Sequence, residues 1–417
     1  MQPTLKLTDI MKMTLNKAVV RSIQKSFLAL AAASLLVPAS VLALGLRIPN
    51  QDAEAIARGN AFAATANNPS ALYYNPAGIS QLPGHNIELG VLNYFGIDST
   101  FVDTTHNQTK THTDYEMQPV PQLYYAFTPK ESKLSYGLGV YAPYGLGLQW
   151  PNSVSFANVA EEGRLLFISI NPVIAYKPHP TLTIAAGPMF NYSKLKLRNA
   201  AVPGGEFIFR GDDFDIGFNA GILWQPHDQW SFGLNYRSQS TMDYHGTTES
   251  TSPFLKGTTK SSAKVKYPQT VGFGISYRPT EKWNIEADID WTDWSRLDSV
   301  PFKSTIVGDF VLPLNWRSSF FYEFGATYQL PKNYFVSAGY FFSENSTRNE
   351  FYNPTVPDTD LHTGSIGFGN RGEHWRWALA GQLITGPYNT VTGSKTGVDG
   401  KYQFFIPAAT LSVGYHF

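Results

Sequence analysis

From about residue 85 onward, hydrophobic residues recur at every second position, which is the periodicity of β-strands with one apolar face. In the stretch 230–237, Trp230, Phe232 and Leu234 alternate with small or polar residues. The apolar face often ends in aromatic residues, whereas the opposite face is small, polar or charged. The same alternation occurs in 164–177, 213–225, 284–291 and 374–383.

This alternation fits a soluble β-sandwich with its apolar face inward or a transmembrane β-barrel with its apolar face outward. The barrel is favoured because many segments reach ten residues or more, aromatics lie at their ends, and an export signal precedes a chain without cysteine. In lipid every backbone polar group must be paired, so a sheet can span a membrane only when it closes. We therefore predict an all-β fold, a 14-stranded antiparallel transmembrane β-barrel over residues 85–417.

The even number of strands places both ends of the barrel on the periplasmic side, and short turns should alternate there with longer outer loops. The predicted strands are 85–102, 116–128, 134–148, 164–177, 181–198, 213–225, 229–245, 264–279, 282–296, 317–330, 333–343, 361–369, 373–385 and 402–417. The predicted long loops are 149–163, 199–212, 246–263, 297–316 and 344–360.

Residues 1–43 are predicted to be a signal peptide for export, with a positive region, an apolar stretch and small residues before a cleavage site. A membrane anchor is the alternative, because no charge occurs over 26–46, a span just long enough to cross a bilayer. Pro38 and the small residues after it favour the signal, and hence a bacterial outer-membrane location. The positive residues, apolar stretch and cut site are Lys17, Arg21, Lys25, 27–37 and Ala43.

Composition excludes several classes of function. Lys and Arg total 32, as do Asp and Glu, so no single-sign field indicates a nucleic-acid partner. The absence of cysteine excludes disulfides and Cys-ligated metals. The 9 histidines are scattered and none lies in a nucleophile motif, so an outer-membrane hydrolase is a minor alternative, with neither cofactor nor metal expected.

The stretch 44–84 has no strand periodicity and is too long for a simple leader to the first strand. Residues 51–64 could form a short helix, and 67–80 should turn twice, at Pro69 and Pro76. A 14-stranded barrel leaves an open lumen unless something fills it. We therefore predict that 44–84 is a plug, or hatch, folded back into the barrel.

Three stretches of the chain carry a family resemblance: the Asn-Pro-Ala motif at Asn75, Pro76 and Ala77, the segment 217–246, and the Trp-Ser pair at 294–295. In these stretches, and over essentially its whole mature length, the chain resembles the FadL family of outer-membrane transporters for hydrophobic compounds. The family's plug carries the same Asn-Pro-Ala motif, 217–246 is similar to its central hairpin, and the Trp-Ser pair resembles one in a later strand.

This resemblance implies transport without ATP, in which the ligand passes from outer loops to a lumenal pocket and leaves sideways through a kink in the third strand. Pro143, Gly145 and Gly147 lie at the corresponding place, and proline with glycines independently permits a strand defect. An ordinary strand end followed by a turn is the alternative. The resemblance also implies that Leu46 and Ile48, at the start of the plug, reach the pocket and respond to ligand.

Ligand chemistry is predicted from the family's basic residues. Fatty-acid members hold the carboxylate with an arginine at the end of the fifth strand, a region where Arg198 lies here, although Asn199 matches it in register. They also have a lysine before the tenth strand, but 310–314, with Leu312 at its centre, contains no base. Because burying an unpaired carboxylate is costly, aromatic or aliphatic hydrocarbons are favoured slightly over long-chain fatty acids. The alternative for the stripe formed by Lys194, Lys196 and Arg198 is a solvated wall or a lipopolysaccharide contact.

Other partners follow from the ends of the chain and from its charges. The last strand ends in Phe417, which resembles the C-terminal signal recognised by the barrel-assembly machinery. We expect a monomer in contact with the lipid bilayer and lipopolysaccharide. A general polar porin is the main alternative function, but it would lack a plug. The charged residues predicted inside the barrel should form a paired network that anchors the plug: Arg237, Arg278, Glu286, Asp288, Asp290, Glu323 and Arg376.

Overall fold

The computed structural model describes residues 46–105 and 109–417, so the signal peptide predicted at 1–43 lies outside the described residues. The helices are α1 (Ala53–Ala57) and α2 (Ala71–Tyr74), with 3-10 helices at Pro76–Gln81, Trp294–Arg296, Pro331–Asn333 and Asn349–Phe351. The strands are β1 (Gly84–Phe95), β2 (Asp98–Val102), β3 (Lys110–His112), β4 (Met117–Thr128), β5 (Leu134–Tyr141), β6 (Gly145–Gln149), β7 (Glu162–His179), β8 (Leu182–Val202), β9 (Gly205–His227), β10 (Trp230–Arg237), β11 (Ser240–Ser250), β12 (Gly257–Tyr267), β13 (Thr270–Thr280), β14 (Trp283–Thr292), β15 (Ser299–Lys303), β16 (Phe310–Pro313), β17 (Ser319–Gln329), β18 (Tyr334–Ser343), β19 (Leu361–Arg371), β20 (Trp375–Thr385), β21 (Asn389–Val391) and β22 (Gly400–His416).

Within the described residues, the wall is one closed antiparallel ring of 14 strands. The ring closes where β22 pairs with β1, with His416 opposite Asn86 and Ala408 opposite Tyr94. The predicted 14-stranded antiparallel barrel is therefore confirmed. In order around the ring, the strands are β1, β4, β5, β7, β8, β9, β10, β13, β14, β17, β18, β19, β20 and β22.

The alternation along each strand separates the two faces of the wall as predicted. In β14, Ile285 and Ile289 are exposed on the outside, whereas Glu286 and Asp288 are buried on the inside. A sheet of this kind presents apolar side chains to lipid because the ring itself satisfies the backbone hydrogen bonds.

Three predicted outer loops contain paired strands in the structure, and one of them, 297–316, holds the hairpin of β15 and β16. The stretch 199–212 was expected to be a loop, but β8 and β9 remain paired up to Val202 and Gly205 and leave only a tight turn. The stretch 246–263 likewise holds the paired ends of β11 and β12. The strands project beyond the apolar belt, where ladder hydrogen bonds continue without the outward apolar face that marks a strand in the sequence.

The segment 46–82, here called the N-terminal segment, lies inside the ring. All of its residues are buried except Asn67, Ser80 and Gln81, which are half-buried. Its hydrogen bonds reach wall strands on several sides of the ring: Ala53 N to Ser412 Oγ (3.1 Å), Gly59 N to Ser365 Oγ (3.1 Å), Ser231 Oγ to Ala64 O (2.8 Å), Ser80 Oγ with Thr183 Oγ1 (2.9 Å) and Tyr124 OH to Gln51 O (3.0 Å).

The local structure of this segment differs from the sequence-based expectation. The predicted helix over 51–64 is limited to α1, which begins at the Asp52 cap. The stretch 67–80, expected to turn twice, forms α2 and the 3-10 helix Pro76–Gln81, which meet at Asn75. Asn75 caps the 3-10 helix, because its side chain accepts a hydrogen bond from Ala77 N. Just before α2, the side chain of Asn68 accepts a hydrogen bond from Ser70 N and so fixes the turn that leads into this helix.

Among the described helices, none combines the length and the apolar character that a membrane span requires.

Candidate functional site

Two inward carboxylates of β14 bind the backbone of the N-terminal segment. Asp288 Oδ2 accepts hydrogen bonds from the N–H groups of Phe62 and Ala63, both at 2.8 Å. Glu286 Oε1 accepts from Ala64 N at 2.7 Å and Thr65 N at 3.2 Å. Four consecutive backbone donors are thereby satisfied away from water, which fixes the position of this turn inside the barrel.

A buried ion pair strengthens the same contact. Arg58 Nη2 lies 3.0 Å from Glu286 Oε2, and neither side chain is exposed to solvent. The wall also makes room for Arg58, since a Cβ at Gly339 would lie 2.0 Å from the Arg58 carbonyl carbon. The predicted charged network therefore runs chiefly between the wall and the N-terminal segment.

A second ionic contact holds α1. Glu54 is paired with Arg371 and, at 3.0 Å, with Arg376. Burial opposes ionisation of Glu54, but the two arginines outweigh it and lower its pKa to about 2 from an ordinary value of 4.5. A carboxyl with a lowered pKa contributes stability that is fully present above its unfolded pKa and disappears as the pH falls through its folded pKa.

This contact predicts that the stability of the folded barrel depends on pH between about pH 4.5 and pH 2. The thermal midpoint of the folded barrel should fall on acidification over this range, and Glu54→Gln should remove that component. The measurement is a melting series in detergent, with Glu373→Gln in an exposed turn as the matched control. Parallel pH curves for the wild type and Glu54→Gln would contradict the assignment.

The predicted motif Asn75-Pro76-Ala77 lies against the inner wall. Asn75 Nδ2 donates to Ala63 O at 2.8 Å and to Ile222 O at 3.0 Å, which joins two parts of the N-terminal segment to β9. Its Oδ1 accepts from Ala77 N at 3.2 Å, and Pro76 begins the 3-10 helix. A Cβ at Gly221 would lie 2.3 Å from Asn75 Oδ1, so this contact requires glycine in the wall.

The third strand of the ring is interrupted at the predicted kink. β5 ends at Tyr141 and β6 begins at Gly145, with Pro143 between them and Gly147 within β6. The β4–β5 ladder runs only from Phe127 to Leu123 on β4, so the outer half of β4 is not paired to β6 in the described structure. Across the opening, Gln118 Nε2 donates to Gly147 O at 2.7 Å, and Asp114 N donates to Gln149 O at 2.9 Å.

The start of the N-terminal segment occupies this interruption. Ile48 N donates to Pro143 O and Gly145 N donates to Leu46 O, both at 2.9 Å. Arg47 and Tyr144 consequently face each other as an isolated antiparallel bridge. Residues 46–48 therefore substitute, over a short distance, for the strand neighbour that the kinked strand lacks.

An apolar cavity lies immediately outward of this contact and encloses roughly 580 Å³, part of it open to solvent. Leu46 and Leu312, both predicted pocket residues, contribute to its lining, whereas Ile48 does not. None of the described residues that line it is charged, and among them only Asn353 and Thr355 carry an amide or an aliphatic hydroxyl group. The others are Leu146, Leu165, Leu195, Leu197, Val265, Tyr267, Leu297, Val300, Leu314, Trp316 and Val356.

Arg198 does not line this cavity. Leu195 and Leu197 of β8 point into it, so the alternation of the strand places Arg198 on the opposite face. Its guanidinium is paired with carboxylates at 2.6 to 3.5 Å, those of Glu161, Glu162 and Glu206.

A separate polar cavity lies on the other side of residues 46–47. Arg47 lines it and binds Asp290, while Leu46 lines the apolar cavity. Arg237 lines the polar cavity as well, and its Nη2 donates to Tyr73 O at 3.2 Å. The first two described residues thus separate an apolar from a charged compartment. Together, these features define a transport-type β-barrel whose interior is occupied by its own N-terminal segment.

Comparison with known proteins gives the same class. The family profile described as outer membrane protein transport protein (OMPP1/FadL/TodX) matches residues 34–375. An outer membrane protein of Neisseria meningitidis is 25% identical over 386 residues, which covers 77% of this chain and 81% of its own length. The long-chain fatty acid transport protein of Escherichia coli O6:H1 is 21% identical over 287 residues, covering 58% of this chain and 63% of its own.

Solved structures agree on the fold. A Pseudomonas aeruginosa FadL homologue superposes with a TM-score of 0.80 at 18% identity and covers 89% of this chain and 100% of its own. The P. putida toluene transporter TodX gives a TM-score of 0.71 at 19% identity, with 88% and 98% covered. The chain belongs to the OMPP1/FadL/TodX family of outer-membrane transport proteins. It is therefore an outer-membrane channel for hydrophobic compounds and not an enzyme.

Proposed function

We propose that this channel takes up neutral hydrophobic molecules passively, holds them in the apolar cavity and releases them sideways through the kinked third strand. The observation that carries this proposal is the position of Leu46, which is at once a wall of the cavity and a partner of Gly145 in the interrupted strand. A ligand that displaces Leu46 would disturb the contact that occupies the gap. Ile48, bonded to Pro143 but outside the cavity, would transmit this displacement to the rest of the segment.

The proposed exit is the unpaired stretch between β4 and β6. Movement of residues 46–48 breaks two backbone hydrogen bonds to Pro143 and Gly145, whereas opening any continuous part of the wall breaks a longer ladder. A molecule leaving here enters the apolar layer that surrounds the barrel and avoids the polar cavity beneath Arg47. This route needs no external energy, because an apolar ligand moves from one apolar environment to another.

The lining of the cavity supports hydrocarbons over fatty acids. Apolar burial stabilises either ligand by about 25 cal/mol per Å², but only a carboxylate also loses its hydration without finding a cation. Arg198 is already paired with glutamates on the other face of β8. Among the similar proteins, one is named a toluene transporter and another a long-chain fatty acid transport protein, so both ligand classes occur among them.

Adding a cation to the cavity should reverse the preference. We expect Leu312→Lys to weaken binding of a neutral hydrocarbon about tenfold or more, because a buried ammonium must be desolvated. Oleate, whose carboxylate can pair with the new lysine, should bind comparatively better. Titration of the purified protein with oleate and a neutral hydrocarbon of similar size measures both effects.

The matched control is Val311→Lys, since the neighbouring Val311 is 58% exposed and does not line the cavity. It should leave both affinities unchanged, as should Arg198→Ala. If wild-type oleate binding is ten or more times tighter and Arg198→Ala abolishes the difference, the pocket is a fatty-acid site and the hydrocarbon preference is wrong.

A general polar porin is the alternative function, and liposome swelling separates the two. Rapid flux of small sugars through the wild-type protein would favour the porin, whereas the buried N-terminal segment supports slow flux. We further propose that the chain is a monomer cleaved near Ala43 and assembled through its C-terminal signal. Phe417 is well placed for recognition, because its side chain is 66% exposed while its N–H donates to His85 O at 3.0 Å.

A further inference from the structure

A groove lies on the outer surface of the barrel, where β1, β2 and β22 meet. It shares no lining residue with the apolar cavity described above. It encloses roughly 660 Å³, much of it open to the surroundings. Its apolar walls include Phe95, Tyr115 and Phe405, and all three side chains are exposed, by 39%, 72% and 51%. The full lining is Phe95, Gly96, Ile97, Asp98, His112, Thr113, Tyr115, Phe405 and Pro407.

The backbone shapes this groove. Gly96 has a φ of +74°, and a Cβ there would lie 2.4 Å from Cδ2 of Tyr115. The ring of Tyr115 can therefore lie against the strand only because residue 96 is glycine. This close approach holds one aromatic wall of the groove in place although it is largely exposed.

Cationic side chains follow on the same outer face, further from the membrane. Directly opposed residues of an antiparallel pair share a face. Val102 is opposite both Lys110 of β3 and Lys401 of β22, and Asp98 is opposite Phe405. Both lysines are exposed, and no ion pair with a described residue is found for either.

One hydrogen-bonded pair lies between the lysines and the aromatic walls. His112 Nδ1 is 2.7 Å from Asp98 Oδ1, and each side chain is about half exposed, by 45% and 48%. This contact occupies one oxygen of the Asp98 carboxylate. Below Phe405, the outer face of β22 continues into the exposed apolar residues Leu411 and Val413.

From the outer end towards the membrane, the surface thus presents two lysines, the His112–Asp98 hydrogen bond, an aromatic groove and the apolar belt. This hairpin lies at the end of the barrel that carries the long loops, which is the extracellular side. We propose that this surface is a binding site for a phosphorylated glycolipid of the outer leaflet. The phosphate contacts Lys110 and Lys401, and an acyl chain lies in the groove between Phe95 and Phe405.

The proposed site selects its lipid by the negative charge of the headgroup and by the position of the acyl chain in the groove. Lysines near a membrane surface attract the headgroups of anionic lipids, and the groove adds apolar contact that free phosphate cannot use. It is independent of the transport route, because none of its residues lines the apolar cavity.

The test uses the purified full-length protein in detergent and counts bound lipid by native mass spectrometry. The probes are hexa-acylated bisphosphorylated lipid A, its dephosphorylated form, phosphatidylglycerol and inorganic phosphate. We expect lipid A to bind in preference to the other three. Lys110→Glu with Lys401→Glu should reduce its binding by about tenfold or more, and Lys110→Arg with Lys401→Arg should retain it.

The matched control is Lys256→Glu with Lys260→Glu, two exposed lysines of another outer hairpin. A heat-modifiable gel shift verifies that each variant is a folded barrel. Phe405→Ser should weaken lipid A binding without changing that gel shift. Equal binding of the dephosphorylated lipid, equal binding of phosphatidylglycerol, competition by inorganic phosphate at similar concentration, or an equal loss in the control pair would each overturn the proposal.

Discussion

A disulfide between Arg47→Cys and Tyr144→Cys should block uptake of a neutral hydrocarbon and leave the barrel folded. The chain contains no cysteine, so the engineered pair supplies the only thiols. Residues 47 and 144 form a pair flanked by hydrogen bonds, a geometry in which Cα atoms are about 4.5 Å apart, within the range that a disulfide accepts. The bond would hold the N-terminal segment in the interrupted strand, so ligand could neither displace it nor pass.

The measurement is the initial rate of hydrocarbon accumulation in cells that lack other hydrophobic channels, before and after addition of a reductant. We expect the oxidised protein to be slower by about tenfold or more and the reduced protein to recover, which also separates locking from the loss of the Arg47 side chain. The control pair is Thr327→Cys with Ser337→Cys, facing each other within the continuous β17–β18 ladder. Unchanged uptake in the oxidised protein would show that the ligand does not leave through the interrupted strand.

The substitution Glu286→Gln should release the N-terminal segment from the wall. It leaves Arg58 with a buried, uncompensated charge and replaces an acceptor of Ala64 and Thr65 N–H groups by an amide. Breaking a buried ion pair by removal of one partner costs about 3–5 kcal/mol. The barrel ladders do not depend on this side chain, so the expected effect is local detachment and not unfolding of the wall.

Detachment can be followed with a single thiol at Ala71, which is buried in α2. Ala71→Cys alone should react slowly with a bulky maleimide, and the reaction should become at least about tenfold faster when Glu286→Gln is added. Small-sugar flux in liposomes should rise in parallel. Glu281→Gln, in an exposed turn at the end of the same hairpin, is the matched control. Slow labelling in both double variants would show that the β14 carboxylates do not hold the segment.

The number of wall strands and the direction of their faces in the membrane could be predicted from the sequence. Alternation such as Ile285–Glu286 has a period of two, and lipid permits such a sheet only when it is closed. Each predicted strand therefore corresponds to one of the 14 strands of the ring, even where the two differ in their first and last residues. The ends could not be predicted, because β8 and β9 continue as a hairpin above the belt where no lipid selects an apolar face.

The direction of side chains above the belt was decided by the tertiary structure. Leu195 and Leu197 are apolar residues that point inward, whereas within the membrane apolar residues of the wall point outward. The direction reverses because the interior of this outer part is the apolar cavity, whereas its exterior faces water. Arg198 could be grouped with Lys196 from the sequence, but only the fold places that stripe on the side opposite to the cavity.

The contacts of the N-terminal segment could likewise not be predicted from the sequence. A strand defect at Pro143 and Gly145 can be predicted, because proline lacks an N–H and glycine tolerates a bend. The hydrogen bond between Leu46 and Gly145 depends on long-range closure of the ring. So does the place of Asn353 in the lining of the same cavity as Leu46, because the two residues are 307 positions apart. Local patterns determine the wall of this protein, whereas only the closed barrel determines what its interior binds.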